Sequence, residues 1–337
     1  MAFDIVTFGS AVVDTFIDTE FNKKTGSFSY PAGAKILVED LKSDIGGGAT
    51  NVAVAFARFG FNTGCICKVG EDNDGKEIID LLKKEKVKFL GSISKERTGH
   101  SIVLDSKGED RTILTYKGPG NNIRLDELPK FETKWLYYSS MVGKTFNTQE
   151  ALAKKLVGKG VKLAFNPSDY LIKKMNILPL LKMTYVLVLN KEEAEMLCKR
   201  YNEKSGGNKK NFLNFKNGNS YAFLPSTQQS CEKKHSGGNR KGDILDCLRE
   251  FGPKIVVVTN KDKLTYAYDG VKKYSIKPHN IKVVERTGAG DAFAAGFVAG
   301  LMVNKSLQQC LELGLKESES VLRYFGAKNN LLRMKLK

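Results

Sequence analysis

The chain has 337 residues, of which 41% are hydrophobic and 27% charged, and its formal net charge is +17. This composition is typical of a globular protein with a large core and excludes a chain that is disordered throughout. Because no apolar run approaches the ~20 residues that span a bilayer and the first residues lack a signal-peptide pattern, we expect a cytoplasmic protein that makes no membrane contact.

Along most of the chain, short apolar runs of strand length alternate with segments of helical periodicity. The predicted strands are residues 5–8, 64–69, 163–165, 185–189 and 255–259. The predicted helices are residues 51–59, 75–85, 148–158, 191–199, 244–250 and 292–303. Such an alternation predicts an α/β fold with a mainly parallel central sheet flanked by helices.

Two segments break this alternation. Residues 14–42 and 97–117 have a period of two residues, which is typical of strands. We predict that they form a small second sheet that covers the core as a lid. The α/β core then consists of residues 1–13, 43–96 and 118–332.

Residues 200–242 are rich in Asn, Gly, Ser and Lys, which predicts a polar insertion within the core. Ten Lys or Arg against two Glu give residues 199–241 a charge of +8. Some proteins that bind single-stranded nucleic acid also have aromatic residues among their lysines, as this segment has at Phe212, Phe215, Tyr221 and Phe223. No recognised nucleic-acid motif accompanies them, so a solvated loop is favoured and nucleic acid is not an expected partner.

The six cysteines are scattered through the chain and are expected to be reduced thiols. Cys65 and Cys67 lie two residues apart in a strand-like run, which favours burial as small hydrophobic side chains over metal binding. Cys231 and His235 have a spacing that zinc ligands can have. No second pair stands nearby to complete a tetrahedral site, so zinc is not expected.

A glycine-rich turn, Thr287-Gly288-Ala289-Gly290-Asp291, precedes a helical segment rich in Ala and Gly. Glycines let backbone N–H groups converge at the start of a helix, where the helix dipole adds positive potential. An anionic group is therefore the expected ligand. The alternative is that Asp291 only caps the helix.

A second glycine-rich turn, Gly46-Gly47-Gly48-Ala49-Thr50-Asn51, also precedes a helix of small residues. Its glycines permit close approach of a ligand to the backbone, and the Asn51 side chain offers a donor and an acceptor to a ligand rich in hydroxyl groups. The alternative is a tight turn that Asn51 caps.

The run Asn190-Lys191-Glu192-Glu193 follows directly after an apolar strand. In open α/β sheets ligands gather at the carboxyl ends of strands, where an amide and a carboxylate can bind the water shell of Mg²⁺. The same pattern is also an ordinary helix start, and this alternative stays open.

Together these segments resemble the ribokinase family of carbohydrate kinases, which includes adenosine kinase and the minor phosphofructokinase. The resemblance extends from residue 3 to about residue 332 without the insertion, and its two signature regions match residues 46–60 and 287–297. It implies a ribokinase-like fold with a small β-sheet lid, and a kinase that transfers the γ-phosphoryl group of ATP to a hydroxyl group of a sugar, sugar acid or polyol. ATP and Mg²⁺ are the implied cofactors, and a need for a monovalent cation such as K⁺ stays open.

The resemblance also implies roles for individual residues. Asp291 would be the base that deprotonates the acceptor hydroxyl, while the N–H groups of Gly288, Ala289 and Gly290 would hold the transferred phosphoryl group. The implied substrate-binding residues are Asp14, Gly47, Gly48 and Asn51, and Asn190 and Glu193 would bind Mg²⁺ through water. The implied nucleotide-binding residues are Thr259, Lys261, Arg286 and Thr287. Lys261 replaces a glycine of the family pattern, so it either binds phosphate or points to solvent.

Two other functions are compatible with the same residues. A nucleoside kinase on this fold would need an apolar wall for the base, which Phe16, Phe21, Phe28 and Tyr30 of the predicted lid offer, although packing explains these aromatic residues equally well. A sugar-binding pseudokinase would keep the fold without the chemistry, which the presence of Asp291 opposes. Family members often pair through the lid sheet, so a homodimer is the implied assembly.

Overall fold

A computed structural model of the chain describes residues 1–19, 30–106, 110–204 and 243–337. The strands are β1 (Ala2–Phe8), β2 (Val12–Thr19), β3 (Val38–Gly46), β4 (Thr63–Ile66), β5 (Lys68–Gly70), β6 (Lys88–Phe89), β7 (Ser92–Ser94), β8 (Gly99–Ser106), β9 (Asp110–Tyr116), β10 (Glu132–Ser139), β11 (Lys162–Asn166), β12 (Val186–Asn190), β13 (Ile255–Thr259), β14 (Thr265–Tyr268) and β15 (Lys273–Ile276). The α-helices are α1 (Gly48–Arg58), α2 (Asn73–Lys84), α3 (Gly143–Val157), α4 (Asp169–Lys174), α5 (Leu178–Met183), α6 (Lys191–Lys204), α7 (Ile244–Glu250), α8 (Ala289–Met302) and α9 (Leu307–Leu322). Two short 3₁₀ helices, Gly118–Asn122 and Leu125–Glu127, precede β10.

The centre of the molecule is a sheet whose described strands follow the order β15-β14-β13-β12-β11-β10-β1-β4-β6. Neighbouring strands are parallel except at one edge, where β13 pairs antiparallel with β14 and β14 with β15. Because helices cover both sides of such a sheet, its strands are continuous apolar runs, such as Ile255-Val256-Val257-Val258 in β13. The predicted α/β fold with a mainly parallel sheet is therefore confirmed.

The strand pattern differs from the prediction in several places, and the short strands β6, β14 and β15 are absent from the prediction. β10 is absent from the predicted strands, although it pairs with β1 and β11 in the middle of the sheet. Its first residues include the exposed Glu132 and Lys134, so only its second half is a buried apolar run. The single strand predicted over residues 64–69 is wrong, because β4 ends at Ile66 and β5 begins at Lys68 in a separate pairing with β7.

A second sheet has the described strand order β3-β2-β8-β9. It includes more residues than the predicted segment 14–42, because β2 begins at Val12 and β3 continues to Gly46. Asp14 and Phe16 lie on the same face of β2, and the Phe16 ring packs against the ring of Phe325 with centroids 4.7 Å apart. This face is therefore turned toward the core. Phe21 and Phe28 lie outside the described residues.

Apolar side chains fill both sides of the central sheet. Phe56 of α1 and Phe297 of α8 are fully buried on one side, and Leu197 of α6 is fully buried on the other. Cys65 and Cys67 are fully buried with their sulfur atoms 3.9 Å apart, so the prediction of small buried side chains is confirmed. Cys231 and His235 lie outside the described residues.

The residues that follow α9 return along α1 and complete the core. The Met334 N–H donates to the carbonyl oxygen of Arg58 over 3.2 Å. The Arg58 guanidinium forms a buried ion pair with Glu85, with 2.6 Å between Nη2 and Oε1, and donates to the Lys328 carbonyl oxygen over 2.6 Å. These contacts fix the position of residues 326–328, which reach the functional site.

Glu317 of α9 is fully buried and provides the first testable prediction. Its Oε2 accepts from the Leu332 N–H over 3.0 Å, Oε1 has no partner among the described residues, and burial raises its pKa to about 8. Because this pKa is above the ordinary value of 4.5, the fold loses stability as the pH rises from 4.5 to about 8. We expect Glu317→Gln to raise the free energy of unfolding by about 1–2 kcal/mol at pH 8 and by less at pH 5.5.

Urea unfolding at the two pH values measures this difference. Glu312→Gln, on an exposed position of the same helix, is the matched control and should change stability at neither pH. Equal effects of Glu317→Gln at both pH values, or a loss of stability at pH 8, would contradict the prediction.

The predicted insertion, residues 200–242, lies outside the described residues except for its first five, which continue α6 to Lys204. The four aromatic residues of that segment, Phe212, Phe215, Tyr221 and Phe223, are outside as well. Across the described ranges, no helix combines the length and the apolar character that crossing a bilayer requires.

Candidate active site

The glycine-rich turn before α8 leaves open space beside the start of the helix. Gly288 precedes the helix with φ of +79°, a conformation that favours glycine, and a Cβ there would lie 2.5 Å from the Cβ of Ala327. A Cβ on Gly290 would meet no atom within 4 Å. The first N–H groups of a helix have no acceptor within it, although that of Ala289 makes a hydrogen bond of 3.3 Å to the Arg286 carbonyl oxygen. The turn thus presents donors to an accessible space.

Asp291 lies within the first turn of α8, because the helix begins at Ala289 rather than at residue 292 as predicted. The interpretation of Asp291 as a helix cap is therefore wrong, since Gly288 occupies the cap position. Its Oδ2 accepts from Asn51 Nδ2 over 2.8 Å, and its Oδ1 lies 3.7 Å from the position that a Cβ on Gly48 would take. Burial raises the pKa of Asp291 to about 6.

The second glycine-rich turn packs tightly against neighbouring backbone. Gly47 has φ of +99°, and a Cβ there would lie 2.4 Å from the carbonyl oxygen of Ser10. A Cβ on Gly48 would lie 2.6 Å from the Cβ of Ser139. Because α1 begins at Gly48, Asn51 lies inside the helix, and the alternative that Asn51 caps it is wrong.

Asp14 faces the same space from the second sheet. A Cβ on Gly46 would lie 1.8 Å from Asp14 Oδ2, so this glycine makes room for the carboxylate. Burial raises the pKa of Asp14, and the nearby Asp44 carboxylate acts in the same direction. The fold thus brings together five residues that the sequence predicts for one site, namely Asp14, Gly47, Gly48, Asn51 and Asp291.

Lys328 is a charged residue of this site that is absent from the prediction. Its Nζ donates to Asn51 Oδ1 over 2.5 Å and to the carbonyl oxygen of Ile45, and the residue is only 3% exposed. Burial lowers the pKa of Lys328 to about 8. In the sequence it stands in the polar run Gly326-Ala327-Lys328-Asn329-Asn330, where a lysine ordinarily indicates an exposed surface. No local signal identifies it.

Asn190 and Glu193 begin helix α6 with two reciprocal hydrogen bonds. Asn190 Oδ1 accepts from the Glu193 N–H and Glu193 Oε2 accepts from the Asn190 N–H, both over 2.8 Å, which confirms the helix-start interpretation. Burial raises the pKa of Glu193 to about 7, and the neighbouring Asp169 carboxylate contributes to this rise. A divalent cation nearby would offset the repulsion between the Glu193 and Asp169 carboxylates, so these residues fit a magnesium ion. Within the described ranges no cluster of three metal-ligating side chains occurs.

Thr259 and Lys261 lie at the carboxyl end of β13. Thr259 ends the strand, beside Asn190 in the register of β12. Lys261 has φ of +44°, in the left-handed region that glycine occupies more easily. Its Nζ lies 3.5 Å from Glu192 Oε1, and its side chain is 72% exposed. In this structure Lys261 therefore forms an exposed ion pair with Glu192 of α6. Whether it binds phosphate or points to solvent during the reaction stays a prediction.

Thr287 and Arg286 belong to the turn that leads into α8. The Thr287 hydroxyl and N–H both donate to Glu285 Oε1 over 2.7 Å. The Arg286 N–H donates to the same oxygen over 2.7 Å, while the Arg286 side chain is exposed. The Glu285 carboxylate therefore holds the shape of the turn.

The mainly parallel sheet, the two glycine-rich helix starts and the carboxylate between them define a phosphotransferase that acts on an alcohol group. The chain belongs to the pfkB family of carbohydrate kinases, whose sequence profile matches residues 2–217 and 228–333. The resemblance to ribokinase and its relatives is thereby confirmed. Only residues 218–227 of the predicted insertion fall between the two matched parts.

Relatives of this chain act on different acceptors, according to their names. It is 27% identical over 333 residues to the 5-dehydro-2-deoxygluconokinase of Clostridium perfringens, with 93% of this chain and 85% of the relative covered. It is 25% identical over 334 residues to the cytidine kinase of Thermococcus kodakarensis, with 96% and 97% covered. The structure of Arabidopsis thaliana ribokinase with ribose and ATP superposes with a TM-score of 0.71 at 20% identity, with 98% and 96% covered.

Proposed function

We propose that the protein transfers the γ-phosphoryl group of Mg-ATP to a hydroxyl group of a sugar, sugar acid or polyol, with Asp291 as the general base. The arrangement of the Asp291 carboxylate carries this proposal: one oxygen is held by Asn51, the other faces Gly48, and the pKa is about 6. Such a carboxylate is ionised at neutral pH and is still basic enough to accept a proton. The presence of ATP in the related ribokinase structure supports the donor.

The reaction that this geometry supports is a direct transfer. As the acceptor oxygen forms its bond to the γ-phosphorus, its proton moves to Asp291 Oδ1, and the bond from phosphorus to the bridging oxygen of ADP breaks. The N–H groups at Gly288, Ala289 and Gly290 and the positive end of α8 stabilise the charge on the transferred group. Asp14, Gly47, Gly48 and Asn51 would hold the remaining hydroxyl groups of the acceptor.

The second sheet would act as the lid of this site. Its inner face presents Asp14, and the ring contact between Phe16 and Phe325 joins the sheet to the core. A closed sheet excludes water, which is otherwise a competing acceptor of the phosphoryl group. Asn190 and Glu193 would hold Mg²⁺ through water, and the bound ion would neutralise charge on the phosphates of ATP.

A nucleoside is the alternative acceptor, and the similarity to a cytidine kinase supports this alternative. Of the aromatic residues proposed for the base, Phe16 is 7% exposed and packs on Phe325, so it offers little free ring surface. Tyr30 is 39% exposed. The sugar or polyol acceptor therefore remains the first proposal, because it requires no aromatic wall. A pseudokinase is disfavoured by the intact Asp291 with its partner Asn51.

A screen for ADP release tests the proposal. Mg-ATP is offered with sugars, keto-deoxy acids, polyols and nucleosides, in potassium and in sodium buffers, to the wild type and to Asp291→Ala. We expect one acceptor class to be phosphorylated by the wild type only. Turnover of nucleosides alone would reverse the order of the two proposals. Failure of every acceptor, together with absence of ATP binding by calorimetry, would favour the pseudokinase.

Lys261 provides a prediction about the nucleotide. If its ammonium turns from Glu192 to the phosphates of ATP, both Lys261→Gly and Lys261→Met should raise the KM for ATP by about three- to fivefold, the contribution of one exposed ion pair. Glycine also relieves the left-handed backbone at φ of +44°, so only Lys261→Gly should gain stability, by about 0.5–1 kcal/mol.

Steady-state kinetics at low salt and urea unfolding separate the two effects of Lys261. Lys263→Met, two residues further along the same loop, is the control for loss of an exposed lysine. An unchanged KM for ATP in both Lys261 variants would mean that the side chain points to solvent throughout the reaction.

The homodimer that the family resemblance implies has a suitable surface on the second sheet. The face opposite Asp14 carries apolar side chains on all four strands, namely Ile17, Leu41, Ile102, Leu114 and Tyr116. Leu41 on the edge strand β3 is 61% exposed and Leu114 on the opposite edge strand β9 is 54% exposed, so this apolar face is open to solvent at both edges, which is unusual for a monomer. We propose that a second copy of the chain covers this outer face.

Sedimentation velocity tests the homodimer. The wild type should sediment as a dimer at micromolar concentration, and Leu41→Glu combined with Leu114→Glu should produce a folded monomer, because two buried charges would face each other across the interface. Val271→Glu changes a 92% exposed residue that is not in the second sheet and should leave the dimer intact. A monomeric wild type would refute the proposed interface.

A further inference from the structure

Lys328 connects the two glycine-rich turns of the site by a short series of hydrogen bonds. Its ammonium donates to Asn51 Oδ1 over 2.5 Å and to the Ile45 carbonyl oxygen, while Asn51 Nδ2 donates to Asp291 Oδ2 over 2.8 Å. A side chain from the last part of the sequence is thus one residue away from the proposed base. Because the ammonium is almost fully buried, these hydrogen bonds have little competition from water.

The chemistry of the ammonium determines the orientation of the Asn51 amide. A lysine ammonium has three donors and no acceptor, so only the oxygen of the amide can face it. The NH₂ group of Asn51 must then face Asp291, where it donates to Oδ2 and leaves Oδ1 toward Gly48. With the amide turned over, two donors would meet at Lys328 and two acceptors at Asp291, and both contacts would be repulsive.

We propose that Lys328 is a positioning residue that holds the Asn51 amide in one orientation and thereby aims the Asp291 carboxylate at the acceptor hydroxyl. This inference rests on the proposed function of Asp291 as general base. In this role Lys328 does not contact the substrate. The effect of Lys328 on turnover above the pKa of Asp291 is therefore expected to pass through Asn51.

The backbone around Lys328 is fixed on both sides. Gly326, with φ of +88°, lies so close to Asp44 that a Cβ would be 2.1 Å from Asp44 Oδ2. Ala327 fills the space beside Gly288, and the Lys328 carbonyl oxygen accepts from the Arg58 guanidinium over 2.6 Å. The Lys328 ammonium therefore reaches Asn51 from a rigid stretch of backbone, as a positioning residue requires.

The charges that face Lys328 determine how its removal changes the pH dependence. Asp14 and Asp44 of the second sheet, Asp291 of α8 and the Cys65 thiol of β4 lie around the ammonium, and the Arg58 guanidinium contacts its backbone. The ammonium lowers the pKa of Asp291 against the larger effect of burial. Loss of the cation should therefore move the acidic limb of the rate profile to higher pH.

The test is a double-mutant cycle of Lys328→Met and Asn51→Ala, measured as kcat between pH 5 and 9. We expect Lys328→Met alone to lower kcat at pH 8 by about tenfold or more and to lower it further at pH 6. In the Asn51→Ala background Lys328→Met should lower kcat at pH 8 far less, because the amide on which the ammonium acts is gone. Additive effects of the two changes would overturn the inference.

Lys68→Met is the matched control for loss of a buried lysine. Lys68 is paired with Glu127, with 2.8 Å between Nζ and Oε2, and its side chain is 12% exposed. This variant should lose stability without any shift of the acidic limb. If Lys328→Met does not fold, Lys328→Gln replaces it, since it keeps a polar group but loses the cation, and the same shift is expected.

An NMR titration of the ¹³C-labelled Asp291 carboxyl group separates this inference from the proposed kinase activity. A pKa of Asp291 that rises more on Lys328→Met when Asn51 is present than in the Asn51→Ala background would support the positioning role even if no acceptor is found. An unchanged pKa, together with an unchanged acidic limb in an active kinase, would overturn it while leaving the proposed function intact.

Discussion

Asp291→Asn is expected to lower kcat by about 10²- to 10⁴-fold, the usual contribution of a general base, with little change in the KM for ATP. Asparagine keeps an oxygen for the hydrogen bond from Asn51, which spans 2.8 Å in the wild type, but it cannot accept the proton of the acceptor hydroxyl. Steady-state kinetics together with calorimetry of ATP binding separates the loss of chemistry from a loss of binding.

The pH dependence of the wild-type rate provides an independent measure of the same group. Because the pKa of Asp291 is about 6, kcat should fall about tenfold for each unit below pH 6 and level off above it. The folded-state pKa lies above the ordinary value of 3.8, so the ionised carboxylate destabilises the fold as the pH rises from 3.8 to about 6. Asp291→Asn should therefore be at least as stable as the wild type at neutral pH. An Asp291→Asn enzyme with wild-type kcat would exclude a base at this position.

Gly290→Ala is expected to raise the free energy of unfolding by about 0.5–1 kcal/mol, since Gly290 lies in the first turn of α8 and alanine is the better helix former. The same change should lower kcat by about 100-fold: alanine keeps the backbone N–H, but its Cβ would push the transferred group away from the donors of the turn, and one such contact is usually worth this much. The added Cβ meets no protein atom within 4 Å, so it enters the space proposed for the phosphoryl group. Thermal unfolding and kinetics on one preparation test both effects.

Gly288→Ala is the matched control two residues earlier. Its Cβ would lie 2.5 Å from the Cβ of Ala327, and its φ of +79° is strained for alanine, so we expect a stability loss of about 1–3 kcal/mol together with loss of activity. Stability and activity should thus change in opposite directions at Gly290 and in the same direction at Gly288. Wild-type kinetics in Gly290→Ala would mean that the phosphoryl group does not bind beside this turn.

Most of the central sheet is predictable because its strands are buried on both faces. Ile255–Thr259 is a continuous apolar run that needs no tertiary information to be identified. Glu132–Ser139 is not predicted because its first half is polar and exposed. Its position in the middle of the sheet is determined by its pairing with β1 and β11. Helix α9 carries a local signal that the prediction does not use, the reciprocal capping of Ser306 and Gln309.

The candidate site is predictable where its residues stand in short motifs. The two glycine-rich turns and Asp291 are local patterns, and the structure places them around one space. Lys328 could not be found in this way because its partner Asn51 is 277 residues distant in the sequence. A lysine in a polar run is ordinarily exposed, and only the packing of residues 326–328 between the two turns buries it.

The long sequence separation between Asn51 and Lys328 also determines when the site can form during protein synthesis. At roughly 5–20 residues per second, the ribosome adds Lys328 about 14–55 s after Asn51. During this interval the nascent chain contains the glycine-rich turn before α1, and later the one before α8, without the ammonium that orients the Asn51 amide between them. We therefore expect the two glycine-rich turns to be synthesised well before the site that they form with Lys328 is complete.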